Sequence, residues 1–388
     1  MKVIHFLMSL DPKYGGPTTS VPIQCMGTQK LGAKMELVTS ESSRPYEREL
    51  LDNGVSVIEI PSPRNAIAGL SFAPLRKFLS SGEIDSDILH LHGVWKPSCS
   101  ILCRYGRKKG IPYVVNPRGD LEKYRVNRGL FKRIKKEIAW LLYAKKNLNN
   151  AACILATSEQ EATALLDRGV KAPVAIIPNG IVVSPPVDRR VYLDRDKKVL
   201  LFLSRVNPIK GIELLIQAWA AIPMSIRNNW ELHIVGNSDP YDYIESLRSL
   251  VRVLDLQDSV LFLGPLKGND KVEKYLSSDL FVLPTFNENF GNVIAEAMMY
   301  GCPVITTTNA PWKCISDSKC GWWIDLSLEN LINAISSAML LSDDQRIELG
   351  QRARTCVIEN YSIDVVSKMT IDLYSWLLGY GKKPPCIL

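Results

Sequence analysis

The sequence predicts an α/β protein of two doubly wound domains, each built on a parallel sheet. Three observations carry that expectation. Short apolar runs alternate with amphipathic helical stretches along the chain, the pattern of parallel strands linked by crossover helices. The alternation breaks once, at Ser184-Pro185-Pro186 and the charged residues 188–198, and then begins again. The length of 388 residues also exceeds what one ordinary core accommodates.

In the first series, residues 3–8, 35–39, 55–60, 88–92, 113–116, 153–157 and 174–177 read as strands, each apolar and bounded by polar or turn residues. The second series reads as strands at 199–203, 231–235, 260–262, 280–283 and 304–307. Helical patterns at 211–221, 241–254, 270–276 and 293–299 separate them. Residues 363–378 read as a terminal amphipathic helix. The expected domains are therefore 1–190 and 191–360, followed by a helical segment at 361–388.

Composition is that of a globular protein, with 46% hydrophobic and 22% charged residues. The first apolar run is too short to span a membrane and lacks a small-residue cleavage site, so it reads as a strand and not as a signal peptide. Nine cysteines without paired spacing suggest reduced thiols and a cytoplasmic protein. The net charge of +7 is concentrated: segment 121–150 holds nine Lys or Arg and two Glu, a balance of +7 that leaves the remainder neutral. Leu130, Phe131, Ile134, Ile138, Leu141 and Leu142 recur there at helical spacing. Such a helix either lies on an anionic membrane or packs its apolar face on its own domain. Nucleic acid is not the expected partner, because no aromatic-interleaved basic motif accompanies the charge.

The most informative stretch runs from Pro284 to Ala297. A buried-strand pattern passes through Glu288-Asn289-Phe290-Gly291-Asn292 into a helical pattern containing Glu296. A strand, a tight loop and a helix start form an anion site, since the first helical N–H groups point outward. Carboxylates beside such a site suit a ligand that also carries hydroxyls, as a nucleotide-sugar does. Arg205 and Lys210 bracket a proline turn before another helix, and two cations there can neutralise a diphosphate. At the strand ends of the first series stand Gly15-Gly16, His90-Leu91-His92-Gly93, Asn116-Pro117-Arg118-Gly119 and Pro178-Asn179-Gly180. Ligands of open α/β sheets bind at such ends. Arg118 suits an anionic acceptor or a local carboxylate equally well. No further ligands stand at metal-site spacing around His90 and His92.

These motifs together resemble the retaining nucleotide-sugar glycosyltransferases of family 4, over nearly the whole chain. Pro-Arg-Gly at 117–119, Pro311-Trp312 and Cys320-Gly321-Trp322-Trp323 resemble a bacterial surface-polysaccharide subgroup, of the O-antigen or lipopolysaccharide kind. Asn289 departs from the glycine that many members carry there. The resemblance implies the GT-B fold, two Rossmann-like domains facing a central cleft. It implies a nucleotide-diphosphate sugar donor and no cofactor or metal. Gly15, Gly16, Arg205, Lys210, Leu266, Glu288, Asn289, Phe290, Gly291, Asn292 and Glu296 would bind the donor. Glu288 would meet sugar hydroxyls and Glu296 the ribose. His92, Glu288, Arg205 and Lys210 would act in catalysis, and Arg118, Gly16 and Asn179 would meet a saccharide or lipid-linked acceptor. The same fold also houses nucleotide-sugar 2-epimerases, and a non-catalytic sugar-binding protein would alternate strands and helices in the same way. Because many relatives act on lipid-linked acceptors, the resemblance favours the membrane for segment 121–150, on the inner face of the plasma membrane. Trp322 and Trp323 read as a packed core under a loop.

Overall fold

A computed structural model of the chain describes residues 1–11, 14–41, 44–60, 73–82, 84–121, 130–193, 195–238, 240 and 242–388. Within the basic segment, Glu122, Lys123, Arg125 and Arg128 lie outside the described residues, as do the side chains of Leu130, Phe131 and Lys132. Pro12 and Lys13 before the paired glycines, and Tyr241 in the second series, also lie outside them. The described chain forms two compact units, Met1–Val182 with Ile363–Leu388, and Val183–Ser362.

The first unit contains strands β1 (Lys2–Phe6), β2 (Lys34–Thr39), β3 (Ser56–Glu59), β4 (Ile88–His92), β5 (Tyr113–Asn116), β6 (Cys153–Ala156) and β7 (Val174–Ile176). They form a parallel sheet in the order β3-β2-β1-β4-β5-β6-β7. Successive side chains alternate between faces, and the core divides accordingly. Ile4, Phe6, Leu89, Leu91 and Val115 belong to one apolar layer. Val3, Leu7, Ile88 and Val114 belong to the other, with Val366, Leu373 and Tyr374 of the terminal helix Ile363–Leu377. That helix packs on the helix Pro17–Lys30 of the same unit. The approach is close: a Cβ on Gly27 would lie 2.1 Å from the Ser367 hydroxyl.

The second unit contains β8 (Lys198–Leu203), β9 (Trp230–Val235), β10 (Val260–Gly264), β11 (Leu280–Leu283), β12 (Val304–Thr307) and β13 (Gly321–Ile324). Their order is β10-β9-β8-β11-β12-β13, again parallel. Strand β13 corrects the reading of Trp322 and Trp323: both lie in an edge strand paired with β12, half-buried, with the Trp323 indole N–H donating to the Ala310 carbonyl at 2.9 Å. Four residues that begin with a glycine, on an edge, leave too little apolar alternation to announce a strand.

Segment 121–150 also departs from the simplest expectation. The helix Leu130–Ala139 continues through a π-helical turn, Trp140–Ala144, into Lys145–Asn149. An extra residue per turn rotates the faces that follow. Trp140, Ala144 and Leu148 are buried, and the Tyr143 hydroxyl donates to the Trp95 carbonyl at 2.6 Å. Ile134, Ile138, Leu141 and Leu142 are exposed, Leu141 by 78%. One face anchors this segment to its domain, and a second apolar face is presented to solvent. Among the described residues, no helix is long and apolar enough to cross a membrane.

Candidate active site

In the second unit the site is assembled at the carboxyl edge of the sheet. After β8, Arg205 is exposed. The Asn207 side chain accepts the Ile209 N–H at 3.1 Å and opens the short turn Pro208–Lys210. Gly211 closes that turn at φ 70°, where a Cβ would lie 2.0 Å from the Pro284 carbonyl oxygen. Only glycine satisfies both the left-handed backbone and that contact. The closeness has a purpose visible in the hydrogen bonds: Phe286 N–H (2.8 Å) and the Thr285 hydroxyl (3.1 Å) both donate to the Ile209 carbonyl. The loops after β8 and β11 are thereby held together, and Lys210 Nζ forms an ion pair with Glu288 Oε2. The two side chains are only 8% and 16% exposed.

The rest of the motif is held from behind. Phe290 is buried, its ring centroid 5.1 Å from that of Trp312 and 5.7 Å from that of Tyr361. The Trp312 indole N–H donates to the Phe290 carbonyl. Gly291, at φ 85°, caps the helix Asn292–Met299 without a side-chain cap. The Ile294 N–H donates to the Gly291 carbonyl at 2.8 Å, and with no side-chain cap the helix start presents its positive dipole end to an anion. Asn289 and Asn292 are half-buried at this helix start. Glu296 stands about one turn further on, where its Oε2 accepts from the Tyr275 hydroxyl (2.8 Å) and pairs with Lys271 (2.6 Å). Its side chain is 24% exposed. Leu266 lies in the separate loop after β10, half-buried.

In the first unit, Arg118 is the hub. It stands at φ 56°, 7% exposed. Its guanidinium donates to Ser20 Oγ (3.1 Å), Gln24 Oε1 (3.4 Å), Asn179 Oδ1 and His92 Nδ1 (3.4 Å). Ser20 in turn donates to the Gly16 carbonyl at 3.1 Å, and the Thr18 hydroxyl to the Gly15 carbonyl at 2.7 Å. Gly16, His92, Arg118 and Asn179, distant in sequence, are therefore joined through one guanidinium, with Gly15 held by Thr18 on the same helix as Ser20. Burial pulls the Arg118 pKa down to about 10, partly countered by the Glu161 carboxylate. Glu161 is itself buried and held by the N–H groups of Gly119 and Thr157. Burial raises its pKa, and those hydrogen bonds and Arg118 oppose the rise.

Sequence reasoning missed two neighbours of His92. His5 on β1 pairs in register with His90 on β4, so both imidazoles occupy the same sheet face as His92. Tyr374, from the terminal helix, reaches both His5 and His90. The signal for His5 was its place in the first strand; that for Tyr374 required knowing where the last helix packs. The nitrogens of His5, His90 and His92 lie within 4.8 Å of one another, close enough to share a cation. The reading that no ligands accompany the His90/His92 pair is corrected by this third ring. Two features weigh against a metal there: both His5 nitrogens are hydrogen-bonded, and Arg118 places positive charge beside His92. Burial lowers the pKa of all three rings, that of His5 to about 3, and Arg118 adds to the effect. The cluster is neutral at pH 7.

Comparison with known proteins agrees with the two parallel-sheet domains. Residues 15–180 match the model described as a glycosyl transferase 4-like domain, and residues 186–355 match glycosyl transferases group 1. An uncharacterised glycosyltransferase of Methanocaldococcus jannaschii is 34% identical over 188 residues, 48% of this chain and 47% of the relative. The match thus spans less than half of that relative's length. A D-inositol 3-phosphate glycosyltransferase of Corynebacterium aurimucosum is 26% identical over 84% of this chain and 82% of its own. Among solved structures, Anabaena HepE in complex with UDP superposes with a TM-score of 0.77 at 19% identity, covering 97% of this chain and all of that one. WaaG, a glycosyltransferase involved in lipopolysaccharide biosynthesis, superposes at 0.73 and 18% identity, covering 96% and 99%. At such identities these neighbours establish the fold, two Rossmann-like parallel-sheet domains of the GT-B class. With a glycosyltransferase 4-like domain over residues 15–180 and a group 1 glycosyltransferase domain over residues 186–355, the chain belongs to the glycosyltransferases.

Proposed function

We propose that the protein transfers a hexose or N-acetylhexosamine, with retention of configuration, from a nucleotide-diphosphate sugar to a saccharide acceptor on a lipid carrier. The observation that carries this reading is the buried Lys210–Glu288 pair beside the uncapped helix start at Gly291. Such a pair would offer a cation and a helix dipole to a departing diphosphate, and a carboxylate to the hydroxyls of a sugar. Arg205, Lys210 and the helix start would supply the charge that a divalent ion supplies in other transferases, so the reaction would be metal-independent. Anabaena HepE has been seen with UDP and glucose, which supports a nucleotide-sugar donor. Glu296, supported by Tyr275 and Lys271, would hold the ribose. The second domain would take the donor, and the first, through Arg118, Asn179 and the paired glycines, the acceptor.

The test is a panel of nucleotide-sugars offered with synthetic lipid-diphosphate saccharides. Nucleotide diphosphate released only when an acceptor is present, with a product of the donor's anomeric configuration, is the expected result. Conversion of the donor into its 2-epimer would support the epimerase reading. Binding without turnover would support a sugar-binding protein.

A surface-polysaccharide role fits the likeness to WaaG, and it requires the enzyme to reach a membrane. Segment 121–150 would provide the contact, because Ile134, Ile138, Leu141 and Leu142 are exposed alongside Arg133 and Lys135. Each basic residue near an anionic surface adds about 1 kcal/mol, screened by salt. Changing Lys132, Arg133, Lys135 and Lys136 to glutamine is expected to abolish sedimentation with phosphatidylglycerol vesicles at low salt. Activity on a soluble acceptor should persist. Unchanged sedimentation of the quadruple variant would remove this helix from membrane binding.

A further inference from the structure

We infer that His5 and Tyr374 are positioning residues for His92, fixing its tautomer through a one-way chain of hydrogen bonds that begins at Arg118. The inference rests on the proposed role of His92 at the substrate. Its direction follows from chemistry alone. Arginine has only donors, so the Arg118 Nε–H donates to His92 Nδ1 at 3.4 Å, and that nitrogen carries a lone pair. Burial and the neighbouring guanidinium keep the rings neutral, so the single proton of His92 is on Nε2. It points at His5 Nδ1, 3.0 Å away. His5 then bears its proton on Nε2 and donates to the Tyr374 oxygen at 3.1 Å. The Tyr374 hydroxyl, freed to donate, meets His90 Nδ1 at 2.6 Å. The chain ends at His90 Nε2, which is buried without a hydrogen-bond partner.

A ring that rotates or exchanges tautomers would offer a substrate hydroxyl a donor and an acceptor in turn. Here the order is set from both sides, by Arg118 at Nδ1 and by His5 at Nε2. His92 is half-exposed while His5, His90 and Tyr374 are buried. The acceptor at Nδ1 therefore stands next to the Arg118 donors. A hydroxyl inserted between them, giving its proton to Nδ1 in place of the Arg118 Nε–H and accepting from that N–H, is the group this pair fits. The terminal helix thus contributes a catalytic-site constraint as well as apolar contacts. Its hydroxyl is the only link in the chain from outside the sheet and its following loops.

The chain has four histidines, so the imidazole ¹⁵N spectrum of the intact protein is simple to assign. The expected result at pH 7 is His92 as the Nε2–H tautomer, with Nδ1 at the shift of an unprotonated nitrogen. Tyr374→Phe should move His92 Nδ1 toward the average of two tautomers. It should also lower kcat by about threefold to tenfold, the effect of one orienting hydrogen bond, with donor KM unchanged. His5→Leu should do the same, and His5→Gln, which keeps one donor and one acceptor, should restore part of the loss. Both folded variants retaining the wild-type ¹⁵N pattern and kcat would overturn the proposal. Should either variant fail to fold, the wild-type spectrum still decides: an Nδ1–H or doubly protonated His92 at pH 7 rules the chain out. The spectrum reads independently of transfer, so failure of the proposed reaction is distinguishable from failure of this inference.

Discussion

Lys210→Ala is expected to lower turnover by about a hundredfold, and Arg205→Ala by at least about tenfold, in protein that folds normally. Removing one preorganised donor to developing negative charge typically costs about 10²–10³ in rate. Lys210 is the more severe loss because it is buried and held in place. The turn Pro208–Lys210 is closed by Gly211 against Pro284, and the Ile209 carbonyl is fixed by Thr285 and Phe286. In the proposed reaction its position would require no rearrangement when charge develops on the leaving diphosphate. Arg205 is exposed, so a larger share of its interaction is screened by water. Lys210→Ala also leaves the Glu288 carboxylate without this cation, so nucleotide diphosphate should bind more weakly as well. Single-turnover kinetics with a donor that supports transfer would separate the two effects. Wild-type turnover in either variant removes that residue from the mechanism.

The reason this pair was legible in the sequence, while the histidine chain was not, lies in how each is encoded. Arg205 and Lys210 flank one turn, and Glu288 and Glu296 flank another. Each motif is local, and the parallel sheet brings consecutive strand ends to one edge. The strands were equally legible because buried parallel strands are continuous apolar runs. Strand β13, at an edge and only four residues long, had no such run. His5 met His90 only through the register of β1 against β4, which no local pattern states. Tyr374 is 369 residues from His5 and reaches it because the last helix packs on the first unit. Arg118 illustrates the middle case. Its place at a strand end was visible, but its bonds to Ser20, Gln24, Asn179 and His92 unite four separate segments. The exposed face at Leu141 and Leu142 followed from a π-helical turn that apolar spacing does not announce.

Glu288→Gln and Glu296→Gln are expected to fail in opposite ways. Glu288 holds Lys210 as an ion pair, so under the proposed function the carboxylate would compete with an incoming diphosphate for the same cation. The amide keeps the shape of the side chain and weakens that competition. Nucleotide diphosphate should therefore bind to Glu288→Gln as tightly as to wild type, or more tightly. Transfer should nevertheless fall by at least about tenfold, because an amide accepts sugar hydroxyls less strongly than a carboxylate does. Glu296 faces a different set of partners, Tyr275 and Lys271, about one helical turn from the anion site. If it holds the ribose, Glu296→Gln removes a charge-assisted hydrogen bond present in the ground state and the transition state alike. Such a loss of about 1.5–3 kcal/mol weakens nucleotide affinity by roughly tenfold or more and leaves kcat nearly intact at saturation. Calorimetry with free nucleotide diphosphate reads the affinities without any acceptor. Unchanged affinity in Glu296→Gln would end its assignment to the ribose. Weakened affinity in Glu288→Gln would mean that the carboxylate contacts the nucleotide directly, and that the Lys210 pair is not what a bound diphosphate displaces.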